Sequence, residues 1–363
     1  MQNYERSDLL IPQFPMKYTP IDFRDSYENL NIQQNQQKQQ YQQNTPLNID
    51  VLLHKITQHI EHLYTSDPSK QNLKKNAENL MQNFYKFTDL YKKQVAIIDR
   101  MEKFEQIQNR GEFQKIFQAA LTREQKFSQL QIKKNIIVKT PPYLEISADE
   151  NKISNFSSIC GQIEKKVGYP VIIKNREASA VANSHQMAVV LNQEGIPGVL
   201  QAPQFQNMPI IIQKLIQHDG KIFKIYCMGD FTDKQVRPSI PNITQDIIDN
   251  QKEKFWLFNS QKSFQEQLPL EVPSKIDNKD EITDNLDQET VVLVKDTLMK
   301  TFNFTVFGYD VLQEKKIDEN GEKEEIWYIC DMNYFPSFKD IPNMIQHFKN
   351  HFQNQKNLLN NHE

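Results

Sequence analysis

The sequence predicts a mixed α/β protein with an antiparallel sheet toward its C-terminus, and three observations carry that expectation. Short runs of β-branched residues recur along the chain, at Ile136-Ile137-Val138, Val171-Ile172-Ile173 and Ile210-Ile211-Ile212. Helical spacings lie between and before them. Two hairpins are expected late in the chain. One joins Ile210–Ile216 to Ile222–Met228 through His218-Asp219-Gly220. The other joins the runs ending at Asp310 and Asp331 through Glu319-Asn320-Gly321.

Taken in order, residues 32–44 are almost all Gln and Asn, bury little apolar surface and are expected to stay disordered. Ordered sequence is expected from Ile49-Asp50-Val51-Leu52-Leu53-His54-Lys55, a short strand ending in polar groups. Leu73, Ala77, Leu80, Met81 and Phe84 mark a helix within 72–91, and a second helical zone covers 101–121. Pro141-Pro142 and Pro170 bracket the first two β-branched runs. Val291 to Thr301 reads as a helix before the strand that ends at Asp310.

With 363 residues there is material for two or three compact units. The net charge of −3 supplies no global basic field, so a polyanionic ligand needs a local cluster of cations. Cys160, Cys227 and Cys330 lie far apart without metal-ligand spacing and read as buried thiols in a reducing compartment. The N-terminus has no apolar leader, and no apolar run reaches membrane-spanning length. A cytoplasmic or nuclear protein without membrane insertion or nucleic-acid binding is expected.

The chemistry concentrates at Asp331-Met332-Asn333, after the apolar run Ile326-Trp327-Tyr328-Ile329-Cys330. Residues two apart on a strand share a face, so Asp331 and Asn333 project together while Met332 faces away. With Asp310 on a neighbouring strand, these hard oxygen donors suit Mg²⁺ shared with phosphate oxygens. Lys174 ends a strand and can act as a phosphate-facing cation or as a plain surface lysine. Lys224 interrupts an apolar strand, so it must lie at an edge, snorkel or face a polar cleft.

Together these pieces resemble the inositol 1,3,4-trisphosphate 5/6-kinases, also called inositol-tetrakisphosphate 1-kinases. The resemblance runs with gaps from Asp50 to about His351. Its early pieces are Asp50–Lys55, Asp89 with Asp99-Arg100, Lys139–Tyr143, Tyr169–Lys174 and Asn183-Ser184-His185-Gln186-Met187. Its late pieces are Pro209–Gln213 through Phe223-Lys224, Val236-Arg237-Pro238-Ser239, Phe307-Gly308-Tyr309-Asp310 and Asp331–Pro336. The separation of Lys224 and Ser239 (239 − 224 = 15) fits as well.

The resemblance implies an α/β ATP-grasp fold, with an N-terminal α/β domain and two α+β subdomains clasping ATP. The boundaries expected are a disordered 1–45, an N-terminal inositol-phosphate-binding domain at 46–112, a central subdomain at 113–212 and a C-terminal subdomain with the Mg²⁺ site at 213–355. It implies ATP as co-substrate, two Mg²⁺ ions, an inositol tris- or tetrakisphosphate as acceptor, and a monomer. Arg100, Lys174, Gln213, Lys224, Ser239 and Ser260 look like the ATP-binding set. Lys55, His185, Lys224, Arg237, Asn333 and Ser337 look like the substrate set. Asp310, Asp331 and Asn333 look like the metal ligands, and Lys224, Asp331 and Asn333 the catalytic group.

Four features depart from the family pattern. Residues 1–48 show no counterpart of its opening strand and lysine, and Lys17 is not assigned to that role. The loop at Glu177-Ala178-Ser179-Ala180-Val181 has no glycine to let backbone amides close over phosphate. Ser337 stands where the family has glycine, and the stretch from Arg100 to Pro141 is longer than usual. Two other readings therefore stand beside a kinase: a non-catalytic inositol-phosphate binder with impaired ATP use, and an ATP-grasp carboxylate–amine ligase.

Overall fold

The structure, a computed structural model, describes residues 49–55, 63, 71–178, 184–270, 286–318, 320–339 and 341–361. The expectations for 1–48, including the Gln/Asn tract and Lys17, lie outside these residues, as does segment 179–183. Two units are found: one formed by the chain up to Ile98 together with the chain from Phe338 onward, the other by Asp99–Ser337.

In the first unit, β1 (Val51–Leu53) and β2 (Ala96–Ile98) pair in parallel. Parallel neighbours need a crossover, and helix α1 (Gln71–Tyr91) lies between them in sequence. Ala77, Leu80, Met81, Phe84 and Phe87 form its buried face at three- and four-residue spacing. The C-terminal helix Met344–Asn360 packs against both strands, and Lys356 Nζ lies 2.9 Å from Asp50 Oδ1. That helix was expected with the C-terminal subdomain. Its contacts place it with the N-terminal strands instead.

The second unit opens with helices α2 (Phe104–Gln108), α3 (Arg110–Arg123) and α4 (Gln125–Lys134). Asn109 separates α2 from α3 in extended conformation, and its side chain caps α3 by accepting from the Gly111 and Glu112 amides. Then follow β3 (Ile136–Lys139), β4 (Tyr143–Ile146), α5 (Phe156–Lys166), β5 (Val171–Asn175), β6 (Gln186–Val190), α6 (Ile196–Gln201) and β7 (Ile210–Lys214). The remainder is β8 (Lys221–Met228), β9 (Phe231–Pro238), α7 (Gln245–Asn250), β10 (Phe255–Asn259), α8 (Gln288–Phe302), β11 (Val306–Ile317) and β12 (Lys323–Tyr334).

These strands form two five-stranded sheets, ordered β10-β6-β5-β7-β4 and β3-β12-β11-β8-β9. One face of the first sheet packs on α5 and α6 through Ile159, Ile163, Ile173, Val199, Ile210 and Ile212. Helix α8 backs the second sheet: the Tyr309 hydroxyl donates to the Val291 carbonyl at 2.9 Å. Alternation then turns Asp310 and Leu312 to the opposite face, where the site lies. All three cysteines are free and buried, as expected. Among the described residues no helix is long and apolar enough to cross a membrane.

The first expected hairpin is not formed. β7 pairs on both sides within the first sheet, with β4 and β5, so neither edge is open to β8. β8 belongs to the second sheet and turns back onto β9 through Gly229-Asp230, with Gly229 at φ 56°. Leu215–Gly220 is therefore a link between sheets. The expected boundaries at 112/113 and 212/213 also differ from the sheet division, because β3 pairs with β12, and β10 with β6. The second hairpin forms as expected, with Asp310 directly opposite Asp331.

Asp99 ties the start of this unit to its last strands. Its carboxylate accepts from the Thr305 hydroxyl at 2.6 Å and the Val306 amide at 2.9 Å. Its amide donates to the Tyr334 hydroxyl at 3.4 Å. Burial, opposed by these hydrogen bonds, pushes its carboxyl up from 3.8 to about 6. The folded state thus favours the protonated form. That stabilisation is complete below the unfolded value of 3.8 and is lost as pH rises through about 6. The displacement corresponds to about 3 kcal/mol. Asp99→Asn should accordingly gain stability relative to the parent chain between about pH 4 and about pH 7. Urea midpoints of both chains across that range check this, and a constant difference between them would contradict it.

Candidate active site

The site is built on the strand pair that ends in carboxylates. Register pairs Asp310 with Asp331 and, on its other side, with Lys224 of β8. A bulge lies just beyond, because Val311 pairs with Ile329 and Cys330 is the extra residue. The bulge lets both Asp331 and Tyr328 stay in register with β11 although the alternation is broken between them. Cys330 is buried at that point, its thiol donating weakly to the Asp310 carbonyl at 3.5 Å.

Lys224 Nζ donates to Asp310 at 3.1 and 3.3 Å. That carboxylate raises the lysine above its ordinary range, so Lys224 carries full charge. Burial in turn pushes Asp310 up, opposed chiefly by Lys224. Lys174 is buried at the end of β5, and desolvation lowers its pKa, with Arg110, Asp331 and Asp310 as charged neighbours. His185 is half-buried just before β6. Burial and Arg110 hold it below its ordinary value against Asp331, so it is neutral near pH 7. Lys174, His185, Lys224, Asp310 and Asp331, all expected at the site, are thus brought together.

Arg110 completes the group, and the sequence reading missed it. Its side chain is only 3% exposed and its Nη2 lies 3.7 Å from Asp331 Oδ2. Its Nη1 donates to the Asn175 carbonyl at 2.7 Å and the Glu177 carbonyl at 3.0 Å. The Arg110 amide donates to the Arg176 carbonyl, and the Ala178 amide to the Gln108 carbonyl. Residues 175–178 are therefore pinned to the start of α3. Arg110 Nε is buried without a hydrogen-bond partner in the protein. Arg100, to which the phosphate-binding role was given, is exposed, and no hydrogen bond or ion pair among the described residues ties it to the cluster. One signal marks Arg110 in the sequence. Asn109-Arg110-Gly111-Glu112 is a capping pattern, and a cation in the first turn opposes the helix dipole.

The other expected residues are placed as follows. Gln213 is 1% exposed in β7, opposite Ile172 and Tyr143. Ser239 is buried after β9 and bonded to His218. The Ser260 amide donates to the His185 carbonyl at 2.9 Å, tying the end of β10 to the histidine. Arg237 is exposed and donates to the Tyr226 hydroxyl and to Gln235. Asn333 is exposed opposite Gly308, and Ser337 is exposed three residues after Tyr334. The turn between them is strained, with Phe335 at φ 46°. It also packs closely, since a Cβ on Gly308 would lie 3.3 Å from Pro336. Lys55 is exposed after β1 in the other unit.

Two antiparallel-rich sheets, each backed by helices and joined by a short link, form the ATP-grasp architecture. The sequence pattern that defines the inositol 1,3,4-trisphosphate 5/6-kinase ATP-grasp domain matches residues 132–354. The chain belongs to that family. It is 30% identical over 198 residues to inositol-tetrakisphosphate 1-kinase 6 of Oryza sativa subsp. indica, covering 52% of this chain and 32% of that protein. Inositol-tetrakisphosphate 1-kinase 1 of Arabidopsis thaliana is 28% identical over 178 residues, 48% of this chain and 50% of that one. The inositol-tetrakisphosphate 1-kinase of Xenopus laevis is 20% identical over 306 residues, 84% of this chain and 66% of its own length. The chain thus spans from a third to two thirds of these relatives. Among solved structures, D-alanyl-alanine synthetase A from Vibrio cholerae aligns at a TM-score of 0.41 with 12% identity, covering 71% of this chain and 68% of that one.

Arg110 bonds two carbonyls while facing a carboxylate, a geometry that suits a planar fork and not a point charge. Arg110→Lys should therefore destabilise the chain by about 1–3 kcal/mol, in urea denaturation monitored by circular dichroism. A change below about 0.5 kcal/mol would show that the fork is not needed.

Proposed function

We propose that the chain is an ATP-dependent inositol polyphosphate kinase that transfers the γ-phosphoryl group to a hydroxyl of an inositol tris- or tetrakisphosphate. The observation that carries this is the meeting of three cations, Arg110, Lys174 and Lys224, with two paired carboxylates on one sheet face. Family membership and the names of its relatives supply the substrate class.

The donor set fits Mg²⁺. Two carboxylates oppose each other, an Asn amide lies two residues on, and all are hard oxygens on one strand pair. Three side-chain oxygen donors would leave coordination positions for phosphate oxygens and water. When bound, Mg²⁺ would offset charge on the phosphoryl oxygens, with Asp310, Asp331 and Asn333 holding two ions.

The chain's own residues would divide the remaining work. Lys174 and Arg110 would bind nucleotide phosphates from the first sheet and the start of α3. The strand from Gln213 would flank the adenine, and Ser239 and Ser260 would contact the nucleotide. Lys224 and His185 would hold acceptor phosphates beside the carboxylates, with Arg237 and Ser337 as further contacts. In-line attack then needs the acceptor hydroxyl positioned and the developing charge offset, which the fixed cations do without reorganising.

Incubating the purified chain with Mg-ATP and a panel of inositol tris- and tetrakisphosphates, with products resolved by isomer, tests this reading. A phosphorylated inositol is expected. Amine-dependent ADP release without response to inositol phosphates would point to a ligase, and inositol-phosphate binding without turnover to a binder. Asp331→Ala should lower turnover at least about a thousandfold while its circular dichroism matches the parent. Retained phosphorylation in that variant would remove Asp331 from the mechanism.

A further inference from the structure

His218 lies in the link between the sheets and is 4% exposed. Its Nδ1 lies 2.6 Å from the Ile216 carbonyl oxygen, and its Nε2 lies 2.8 Å from Ser239 Oγ. A carbonyl oxygen only accepts, so Nδ1 carries the proton and donates. Burial lowers the histidine's pKa, so the ring is neutral and Nε2 is left with a lone pair. The Ser239 hydroxyl must then donate to Nε2. Its oxygen keeps its own lone pairs and can serve any further partner only as an acceptor.

The place of this pair makes that polarity matter. Ile216 packs against Leu312, Ile326 and Tyr328 of the second sheet. Leu312 is two residues from Asp310 on the same strand face, so the link runs along the face that carries the carboxylates. The Ser239 amide donates to the Gly220 carbonyl at 2.7 Å, closing the link onto the end of β9. Ser239 itself keeps 7% exposure. Its hydroxyl proton is committed to the histidine, and the oxygen keeps acceptor capacity.

We propose that His218 is a positioning residue that locks the Ser239 hydroxyl as a hydrogen-bond acceptor for a ribose hydroxyl of the bound nucleotide. This rests on the reading of Ser239 as a nucleotide contact and adds its direction. An acceptor-only oxygen selects a ligand group that donates, such as a sugar hydroxyl, and disfavours a phosphate oxygen, which only accepts. Ser239 would therefore read the sugar and leave phosphate to Arg110 and Lys174.

Calorimetric titration of Mg-ADP and its 2′- and 3′-analogues, carrying hydrogen, fluorine or amino in place of hydroxyl, tests the direction without turnover. The parent chain should bind the hydroxyl and amino forms about five- to tenfold more tightly than the hydrogen and fluorine forms at one ribose position. Ser239→Ala should flatten that ranking. His218→Phe frees the serine proton and should narrow the gap between hydroxyl and fluorine. His218→Gln, whose Oε1 can accept from Ser239, should restore the parent's ranking.

Retention of the full ranking in Ser239→Ala, or in a folded His218→Phe, would overturn the proposal. If His218→Phe does not fold, Ser239→Ala decides alone. A chain that binds no adenine nucleotide would overturn both this proposal and the kinase reading. The expected ranking in a chain that phosphorylates no inositol phosphate would overturn the kinase reading only.

Discussion

Asp310 and Asp331 stand directly opposite each other on adjacent antiparallel strands, and like charges in that position repel. Every element around them bears on that repulsion. Lys224 sits across the other edge of β11, in register with Asp310. Arg110 approaches Asp331 from the start of α3, and Lys174 comes from the first sheet. The backing by α8 keeps the strands from relaxing apart, with Tyr309 fully buried beneath the pair. A hairpin that holds two carboxylates together in a half-buried position is thus stabilised by cations recruited from three separate elements.

That recruitment also joins the two sheets. The Arg110 guanidinium bonds carbonyls at the end of β5 and faces a carboxylate on β12, so one planar group spans both sheets. The link Leu215–Gly220 does the same through packing. Leu215 lies in a core with Trp256 and Phe258, whereas Ile216 lies against Tyr328 and Ile326. Adjacent link residues therefore point into different cores, which fixes the path of the chain between sheets. His218 and Ser239 close the far side of the same link.

The division between what was readable in sequence and what was not follows from the range of the interactions. The paired carboxylates were readable because strand alternation and a hairpin are local patterns. The helices over 71–91 and 288–302 were readable because their buried residues repeat at helical spacing. Whether Ile210–Lys214 would pair with Lys221–Met228 was not readable, because it depends on two other strands already occupying both its edges. Arg100 directly precedes the helical zone expected over 101–121 and Arg110 lies within it, and only the extended Asn109 and the burial that follows set the second apart. The bond between His218 and Ser239 joins residues 21 apart across a reversal of the chain, beyond the reach of any short motif.

A chain of net charge −3 can still hold a polyanion, because the cations of the cluster are not equivalent. Lys224 is charged by its own partner: Asp310 raises it, so much of its field is already spent within the protein. Lys174 is held down by burial, with its carboxylate neighbours only partly offsetting the cost. Arg110 has a buried Nε without a protein partner. An arriving phosphate would therefore meet one committed cation and two whose interactions are incomplete. Those two are the ones anchored at the first sheet and the start of α3, so the anion would gain most from the side of the cleft opposite the carboxylates. The carboxylates, being half-buried and already matched, contribute order before they contribute binding.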